Sequence, residues 1–237
     1  MISVCMTTFN GEAFLSEQIE SILSQLSEED ELIISDDGST DGTLRILKEF
    51  SDARIRLISA DPKRLGPVYN LERALKAAHG EFLFLSDQDD IWLPTKRVEM
   101  LRALETSDLV LSDAFIYVQK ANGKWEEGVR MFEVRPPRHG VFLNWLKNSF
   151  TGCCMAFRRE LLFCALPFPE RIPMHDQWIG ICAEKKFRVS FLEKPLAEYR
   201  RHKKNATDFL AGKKSCKLQQ VLWRFRLGVA ILRRLSR

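Results

Sequence analysis

No stretch of this chain reaches the roughly 18 uncharged apolar residues that a membrane-spanning helix needs. The nearest, "VLWRFRLGVAILRRL", is interrupted by Arg224 and Arg226. A basic leader segment is also missing: "MISVCMTTFN" holds no Lys or Arg, and "GEAFLSEQIE" soon brings in acids. A secretory signal is therefore not expected, and the cytoplasm is the expected location. The six cysteines (Cys5, Cys153, Cys154, Cys164, Cys182, Cys216) form no C-x-x-C pair, and most lie in apolar context. They read as small buried residues of a reducing compartment rather than as zinc ligands. The chain has no G-x-x-x-x-G-K-S/T loop and no G-x-G-x-x-G after its first apolar run, which excludes the P-loop and the dinucleotide-binding fingerprint. Any bound phosphate must be held by side chains or by a metal. No internal repeat is visible.

What is present is a globular mixture: 237 residues, 45% apolar and 29% charged. That length suits one large domain or two small ones, and a single core is the simpler expectation. The net charge of +4 conceals an asymmetry. From Lys203 onward there are ten Lys or Arg against the single Asp208, a net of +9, so everything before that point carries −5. The body is acidic and the tail basic.

Through residue 118 the pattern alternates. "ISVCMTTF", "ELIISDDG", "IRLISA", "EFLFLSDQD" and "DLVLSDAFIYV" read as strands, separated by helical periodicity in "GEAFLSEQIESILSQL", "TDGTLRILKEF", "VYNLERALKAAHG" and "TKRVEMLRALE". Four strand-helix repeats before a fifth strand predict a doubly wound, mostly parallel α/β sheet with helices on both faces. The pattern weakens between Gln119 and His139, where "KANGKWEEG" reads as a turn and "RPPRHG" as a loop. Beyond it come a helix ("FLNWLKNSF"), a strand ("GCCMAFRR"), a short helix ("ELLFCALPF"), a helix from "HDQWIGICAEKK" and a strand, "RVSFLEKPLAEYR".

Ligands of parallel α/β sheets bind beyond the carboxyl ends of the strands. Those ends supply Thr7, Thr8, Phe9 and Asn10, then Asp36 to Asp41, then Asp87, Gln88, Asp89 and Asp90. "DDGSTDG" by itself reads equally well as a polar loop in which Ser39 or Asp41 caps the next helix. "DQDD" is more telling, because three carboxylates after an apolar strand repel one another unless a cation joins them. Oxygen donors favour Mg²⁺ or Mn²⁺, which are held by one or two carboxylates together with substrate phosphates.

In order and spacing, "ISVCMTTFNGEAFLSEQIESILSQ", "LIISDDGSTDGT" and "GEFLFLSDQDDIWLPTK" resemble the family 2 glycosyltransferases of GT-A fold. The combination of "SDQDDIWLP", "HDQWI" and "YRRHKKN" resembles their bacterial rhamnosyltransferase-like members, over roughly Ile2 to Asn205. The resemblance implies a GT-A domain over 1–205, with a nucleotide-sugar and metal half at 1–118 and an acceptor half at 119–205; the tail, 206–237, lies outside it and reads from its own spacing as a basic amphipathic helix. It implies that Thr7 and Asp37 hold the nucleotide, that Asp87 and Asp89 are the outer residues of a D-x-D metal element with Asp89 the direct ligand, and that Asp176 is the catalytic base. His175 stands where the family commonly has Glu, so the role of that position is open. Arg200 and His202 are implied to close over the diphosphate. The Q-x-x-R-W element of processive synthases is missing, which implies transfer of a single sugar. The chemistry agrees: a nucleotide-diphosphate sugar attacked by an acceptor hydroxyl needs one general base and one neutralised leaving group, and configuration inverts.

Asp176 also has an ordinary reading as a carboxylate in a first helical turn, and Trp92 and Trp178 read as packing residues. In the tail, Leu218, Val221, Leu222, Phe225, Val229 and Leu232 recur at helical spacing among arginines. Such a helix either lies in an anionic membrane surface or packs on the domain. In the first case the enzyme is peripheral on the cytoplasmic face and its acceptor is a lipid-linked sugar or glycan of a cell-surface polysaccharide. Nucleic acid is not an expected partner. The competing readings are a catalytically inactive nucleotide-sugar-binding module of the same fold and a receiver-type signalling domain, which needs only about half this length.

Overall fold

In "ISVCMTT" and "ELIISD" almost every residue is buried, because alternate side chains enter opposite faces of a sheet that is covered on both sides. The computed structural model describes residues 1–58, 64–120, 122–202 and 217–235. Its first half runs β1 (Ile2–Thr8), α1 (Leu15–Leu23), β2 (Glu31–Asp36), α2 (Thr43–Glu49), β3 (Ile55–Ile58), α3 (Gly66–Ala77), β4 (Phe82–Asp87), β5 (Ile91–Trp92) and α4 (Lys96–Ala103). The second half runs β6 (Leu109–Gln119), β7 (Trp125–Arg130), α5 (Met131–Val134), α6 (Val141–Leu146), β8 (Met155–Arg158), α7 (Leu162–Ala165), α8 (His175–Lys186), β9 (Val189–Arg201) and α9 (Lys217–Leu235).

The strands form one sheet in the order β3-β2-β1-β4-β8-β6-β9-β5, with β7 joined to β6. β1 to β4 are mutually parallel, as the strand-helix repeats predict. Period-two alternation separates two cores. Ile2, Val4, Met6, Leu32, Ile34 and Phe84 pack against α1, α2 and α4, whereas Cys5, Ile33, Leu83 and Leu85 pack against α3 and α8. The five described cysteines are free and buried, as their context predicts; Cys216 lies outside the described residues.

The second half is mixed. β8 runs antiparallel between β4 and β6, while β9 is parallel to β6 and antiparallel to the short β5. The expected turn at "KANGKWEEG" keeps its turn at 122–124 but continues into β7, which pairs antiparallel with β6. Residues of β7 are largely exposed, so no apolar alternation announces it. The tail helix packs on the domain by one face: Leu227 and Ala230 are buried in the α8-side core, and Trp145 Nε1 of α6 donates to the Arg224 carbonyl at 2.8 Å. Among the described residues no helix is long and apolar enough to cross a membrane.

Candidate active site

β1, β2 and β4 end level with one another, Thr8 opposite Asp36 and Thr7 opposite Asp87. Just beyond these ends lies a cavity of about 380 Å³ whose lining includes Thr7, Asp37, Asp87, Asp89 and Asp176. Residues far apart in the chain meet there because parallel strands deliver their carboxyl ends to one edge.

The loop after β2 is shaped by Asp36. Its Oδ1 accepts the N–H groups of Gly38 and Ser39 at 3.0 and 2.9 Å, and its Oδ2 accepts the hydroxyls of Thr8 and Ser39 at 2.9 and 2.5 Å. The turn places Gly38 at φ +83°, a left-handed conformation that glycine adopts without strain. Asp37 is thereby turned to the cavity, where its carboxylate accepts the Leu65 and Gly66 N–H groups at 2.7 and 2.9 Å and so caps the start of α3. The Arg64 guanidinium lies 3.6 Å over the Phe9 ring and 3.4 Å from Asp37, and both Arg64 and Phe9 line the cavity. From α3, Asn70 and Arg73 grip Ser35: the Asn70 amide exchanges two hydrogen bonds with it, and Arg73 Nε donates to its hydroxyl at 2.8 Å. Asp41 accepts the Thr43 N–H at 3.0 Å, which is the capping role that its loop reading anticipates.

The "DQDD" turn concentrates charge. Burial, followed by repulsion from Asp89 and Asp176, pushes the Asp87 carboxyl up to about 7, against the pull of Lys96. Asp90 is 1% exposed and is also pushed up, by burial and by its Asp89 and Asp87 neighbours. Its Oδ1 accepts the Arg200 N–H at 3.1 Å, while its Oδ2 is buried without a hydrogen-bond partner. Ligand atoms of Asp87, Asp90 and Cys153 lie within 4.8 Å of one another. An orphaned buried carboxylate oxygen beside two further acids is a donor set that fits a hard divalent cation. Three side chains brace the turn. Gln18 Nε2 donates to the Ser86 hydroxyl at 2.7 Å and the Asp87 carbonyl at 3.0 Å, and the Gln88 amide pairs with both backbone groups of Phe9 at 2.9 and 3.1 Å. Lys96, wholly buried, donates from Nζ to the Cys153 carbonyl at 2.6 Å.

Pairing of β5 with β9 sets Ile91 opposite Glu198, and this carries the end of β9 to the acidic turn. There His202 Nε2 sits 2.9 Å from Asp89 Oδ2, and Arg200 Nε donates to the Asp89 carbonyl at 2.6 Å while its guanidinium pairs with Glu17. The His202 ring stacks on Phe14 at 4.2 Å, with Trp125 of β7 edge-on. Arg200 and His202 are not among the cavity-lining residues; they contact Asp89. The following "KKN" lies outside the described residues.

Asp176 occupies the first turn of α8, 3% exposed, so it has the dipole-favoured position of its ordinary reading and also faces the cavity. Its Oδ1 accepts Asn148 Nδ2–H at 3.1 Å and the Gln177 N–H at 2.6 Å. His175 lines the same wall; burial lowers its pKa, opposed by the Asp176 charge. Gly152 packs close to it, since a Cβ there would stand 3.0 Å from His175 Nε2. Trp92 and Trp178 are packing residues outside the cavity lining.

Several residues escape sequence reasoning. Asn70 and Arg73 leave a trace as an i, i+3 polar pair within an amphipathic helix. Gln18 and Lys96 leave none, because a buried polar side chain on a helix reads like an exposed one. Arg135, which lines the cavity, lies in the weakly patterned stretch before His139; Asn148 falls within a stretch that reads as helix but lies past the end of α6, and Tyr199 of β9 reads as an ordinary strand residue.

The model of glycosyl transferase family 2 matches residues 3–164. The dTDP-rhamnosyl transferase RfbG of Shigella flexneri is 27% identical over 214 residues, covering 84% of this chain and 72% of that protein. The UDP-Glc:alpha-D-GlcNAc-diphosphoundecaprenol beta-1,3-glucosyltransferase WfgD of Escherichia coli is 38% identical over 172 residues, covering 71% of this chain and 64% of that protein. Among solved structures, residues 1–349 of S. aureus TarS in complex with UDP-GlcNAc superpose with a TM-score of 0.74 at 23% identity, over 98% of this chain and 66% of that one. Glucosyl-3-phosphoglycerate synthase of Mycobacterium tuberculosis, in complex with Mn²⁺, UDP and phosphoglyceric acid, superposes with a TM-score of 0.58 at 23% identity, over 100% and 78%. These structural likenesses show the fold, GT-A. The chain thus spans about two thirds of the length of WfgD and of the TarS chain. With the family model covering residues 3–164 of its 237, the chain belongs to glycosyl transferase family 2.

Proposed function

We propose that this chain transfers one sugar from a nucleotide-diphosphate donor to an acceptor hydroxyl, with inversion and with Mg²⁺ or Mn²⁺. One observation carries the reading: a single cavity is lined by the polar ends of β1 and β2, by the Asp87–Asp89 pair and by the buried carboxylate Asp176. Thr7, Asp37 and the Arg64–Phe9 pair form the nucleotide end. Asp89 and Asp87 would hold the cation, with Asp90 beside them, and His202 and Arg200 fix Asp89. A cation bound there neutralises charge that develops on the departing diphosphate. Asp176 takes the proton of the attacking hydroxyl, held in place by the Asn148 amide. A single general base with the leaving group on the opposite face gives inversion. WfgD, by its name, acts on a diphosphoundecaprenol-linked sugar. A lipid-linked glycan of cell-surface polysaccharide assembly is the acceptor class we assign here, with the reaction on the cytoplasmic face of the membrane.

The test is thermal stability with uridine, thymidine and guanosine diphosphates and their sugars, each with and without Mn²⁺. A ligand that binds only the folded state adds about 2.7 kcal/mol at a hundredfold excess over its Kd. One nucleotide should shift the transition only with Mn²⁺, and Asp89→Ala should abolish that shift. Asp176→Asn should keep the shift and lose donor turnover by about 10²-fold or more. No shift with any nucleotide in folded protein overturns the donor site. A shift without turnover in the parent protein, supplied with lipid-linked and soluble acceptors, makes the chain a binding module.

A further inference from the structure

The tail helix has two apolar stripes, and among the described residues only one packs on the domain. At about 100° of rotation per residue, Leu227 and Ala230 point to the core, whereas Val221, Leu222, Phe225 and Leu232 gather on the opposite side. These four are exposed, Phe225 at 67% and Leu232 at 69%. Ordinary packing of a terminal helix explains the first stripe and leaves the second without a role.

The second stripe has neighbours of the same character. α6 lies along the N-terminal half of α9: the Arg224 side chain donates to the Leu146 carbonyl at 3.0 Å, and Gly228 sits so close to Trp145 that a Cβ would stand 3.3 Å from Nε1. α6 exposes Phe142 (64%), Leu143 and Leu146. At the other end Arg234 donates to the Leu166 carbonyl at 2.9 Å, beside α7, whose Phe163 is 86% exposed. Eight of the thirteen large apolar side chains exposed among the described residues therefore stand on three adjoining helices. The three helices themselves carry charge of one sign, with the exposed Glu160 standing just before α7. Arg226, Arg233 and Lys147 are exposed at the margin, and none of α6, α7 and α9 contains Asp or Glu.

We infer that α6, α7 and α9 form a composite membrane-docking surface for an anionic lipid bilayer, the apolar side chains entering the headgroup and acyl boundary and the arginines meeting lipid phosphates. Wide apolar faces rimmed by Arg and Lys bind interfaces of this kind, and helices that carry only basic side chains are complementary to anionic headgroups. The inference deepens the lipid-linked acceptor reading and rests on it for its purpose, but lipid binding is measured without any sugar transfer.

The experiment is flotation of the full chain with vesicles of phosphatidylcholine alone or mixed with phosphatidylglycerol, over a series of salt concentrations. The parent protein should partition onto the phosphatidylglycerol vesicles, less so onto phosphatidylcholine, and should be released by salt. Phe225→Glu with Leu232→Glu should reduce partitioning about tenfold or more. Arg226→Glu with Arg233→Glu should remove the preference for anionic lipid. All four positions are exposed, and an unchanged circular dichroism spectrum and thermal transition verify that the variants fold. Absence of partitioning at low salt, or equal partitioning of the variants, overturns the inference. So does a self-association in sedimentation velocity that Phe225→Glu abolishes, which would make a second copy of the chain the occupant. Vesicle binding with no donor site in the nucleotide panel would uphold this surface and sink the transferase reading alone.

Discussion

Asp89 receives contacts from two residues over a hundred positions away: His202 on its carboxylate and Arg200 on its carbonyl. In the proposed role of Asp89 as metal ligand, loss of an orienting partner of this kind changes metal affinity by about 10- to 100-fold. His202→Ala should therefore weaken Mn²⁺ binding by that factor in a calorimetric titration, with His202→Gln recovering part of it through its amide. Equal Mn²⁺ affinity in both variants and the parent would mean that His202 only packs on Phe14. Asp37 has an observed structural duty beside its proposed one at the nucleotide. Its oxygens already cap α3, so Asp37→Ala should cost about 1–3 kcal/mol of stability as well as nucleotide affinity, because two N–H groups lose their acceptor. Denaturant unfolding separates the two effects. A stability equal to the parent's would show that the cap is replaced by water.

At the scale of elements, one carboxylate ties β1, the loop before β2 and α4 together. Asp30 Oδ1 accepts the Ile2 N–H at the start of β1 (2.8 Å), and Oδ2 accepts Ser27 N–H and hydroxyl and Arg97 Nε of α4. Burial pushes its pKa up, but the hydrogen bonds from Ile2, Ser27 and Arg97 outweigh that and hold it below the usual range. Since the folded value lies below the unfolded one, the stabilisation is present above the ordinary carboxylate pKa near 4 and is lost as pH falls through the depressed value. Asp30→Asn should thus lower stability at pH 7 and flatten the decline of Tm below about pH 4. An unchanged acid limb would contradict this. α8 packs through Gly180 on Phe150, in the segment before β8, where a Cβ would lie 2.2 Å from the Phe150 ring. Gly180→Ala should destabilise by about 1–3 kcal/mol in denaturant unfolding by forcing α8 from Phe150, and should lower turnover more than nucleotide binding because Asp176 moves with the helix.

For the whole molecule, the tail helix closes the α8-side core. Removal of residues 217–237 uncovers the surface under Leu227 and Ala230 and deprives Trp145 of its acceptor. A loss of about 2–4 kcal/mol is expected from apolar area alone, measured as a lower Tm of the shortened chain. An unchanged Tm would show the helix to be an appendage. The two halves also contribute differently to the cavity. The parallel half brings the strand ends with Thr7 and Asp37 and the acidic turn, and the mixed half brings Asp176 and Gly152, with Asn148 on the Asp176 carboxylate.

Local periodicity was sufficient for the strand-helix alternation through residue 118, for the strand ends carrying Thr7, Asp37, Asp87 and Asp89, and for the amphipathic tail, because each depends on side-chain spacing within one segment. It did not announce β7, whose exposed residues carry no alternation, or the work of Gln18 and Lys96, whose burial is a property of their neighbours. Asp176 was visible as a residue. Its placement 3% exposed against the same cavity as Asp87, with Asn148 on its carboxylate, came from the packing of α8 on Phe150. Likewise the family resemblance singled out Arg200 and His202, yet only the β5–β9 pairing decided that they reach Asp89. Secondary structure follows from short-range pattern. The charge environment of a site follows from which segments the sheet makes neighbours, and that is a long-range property that no window of sequence contains.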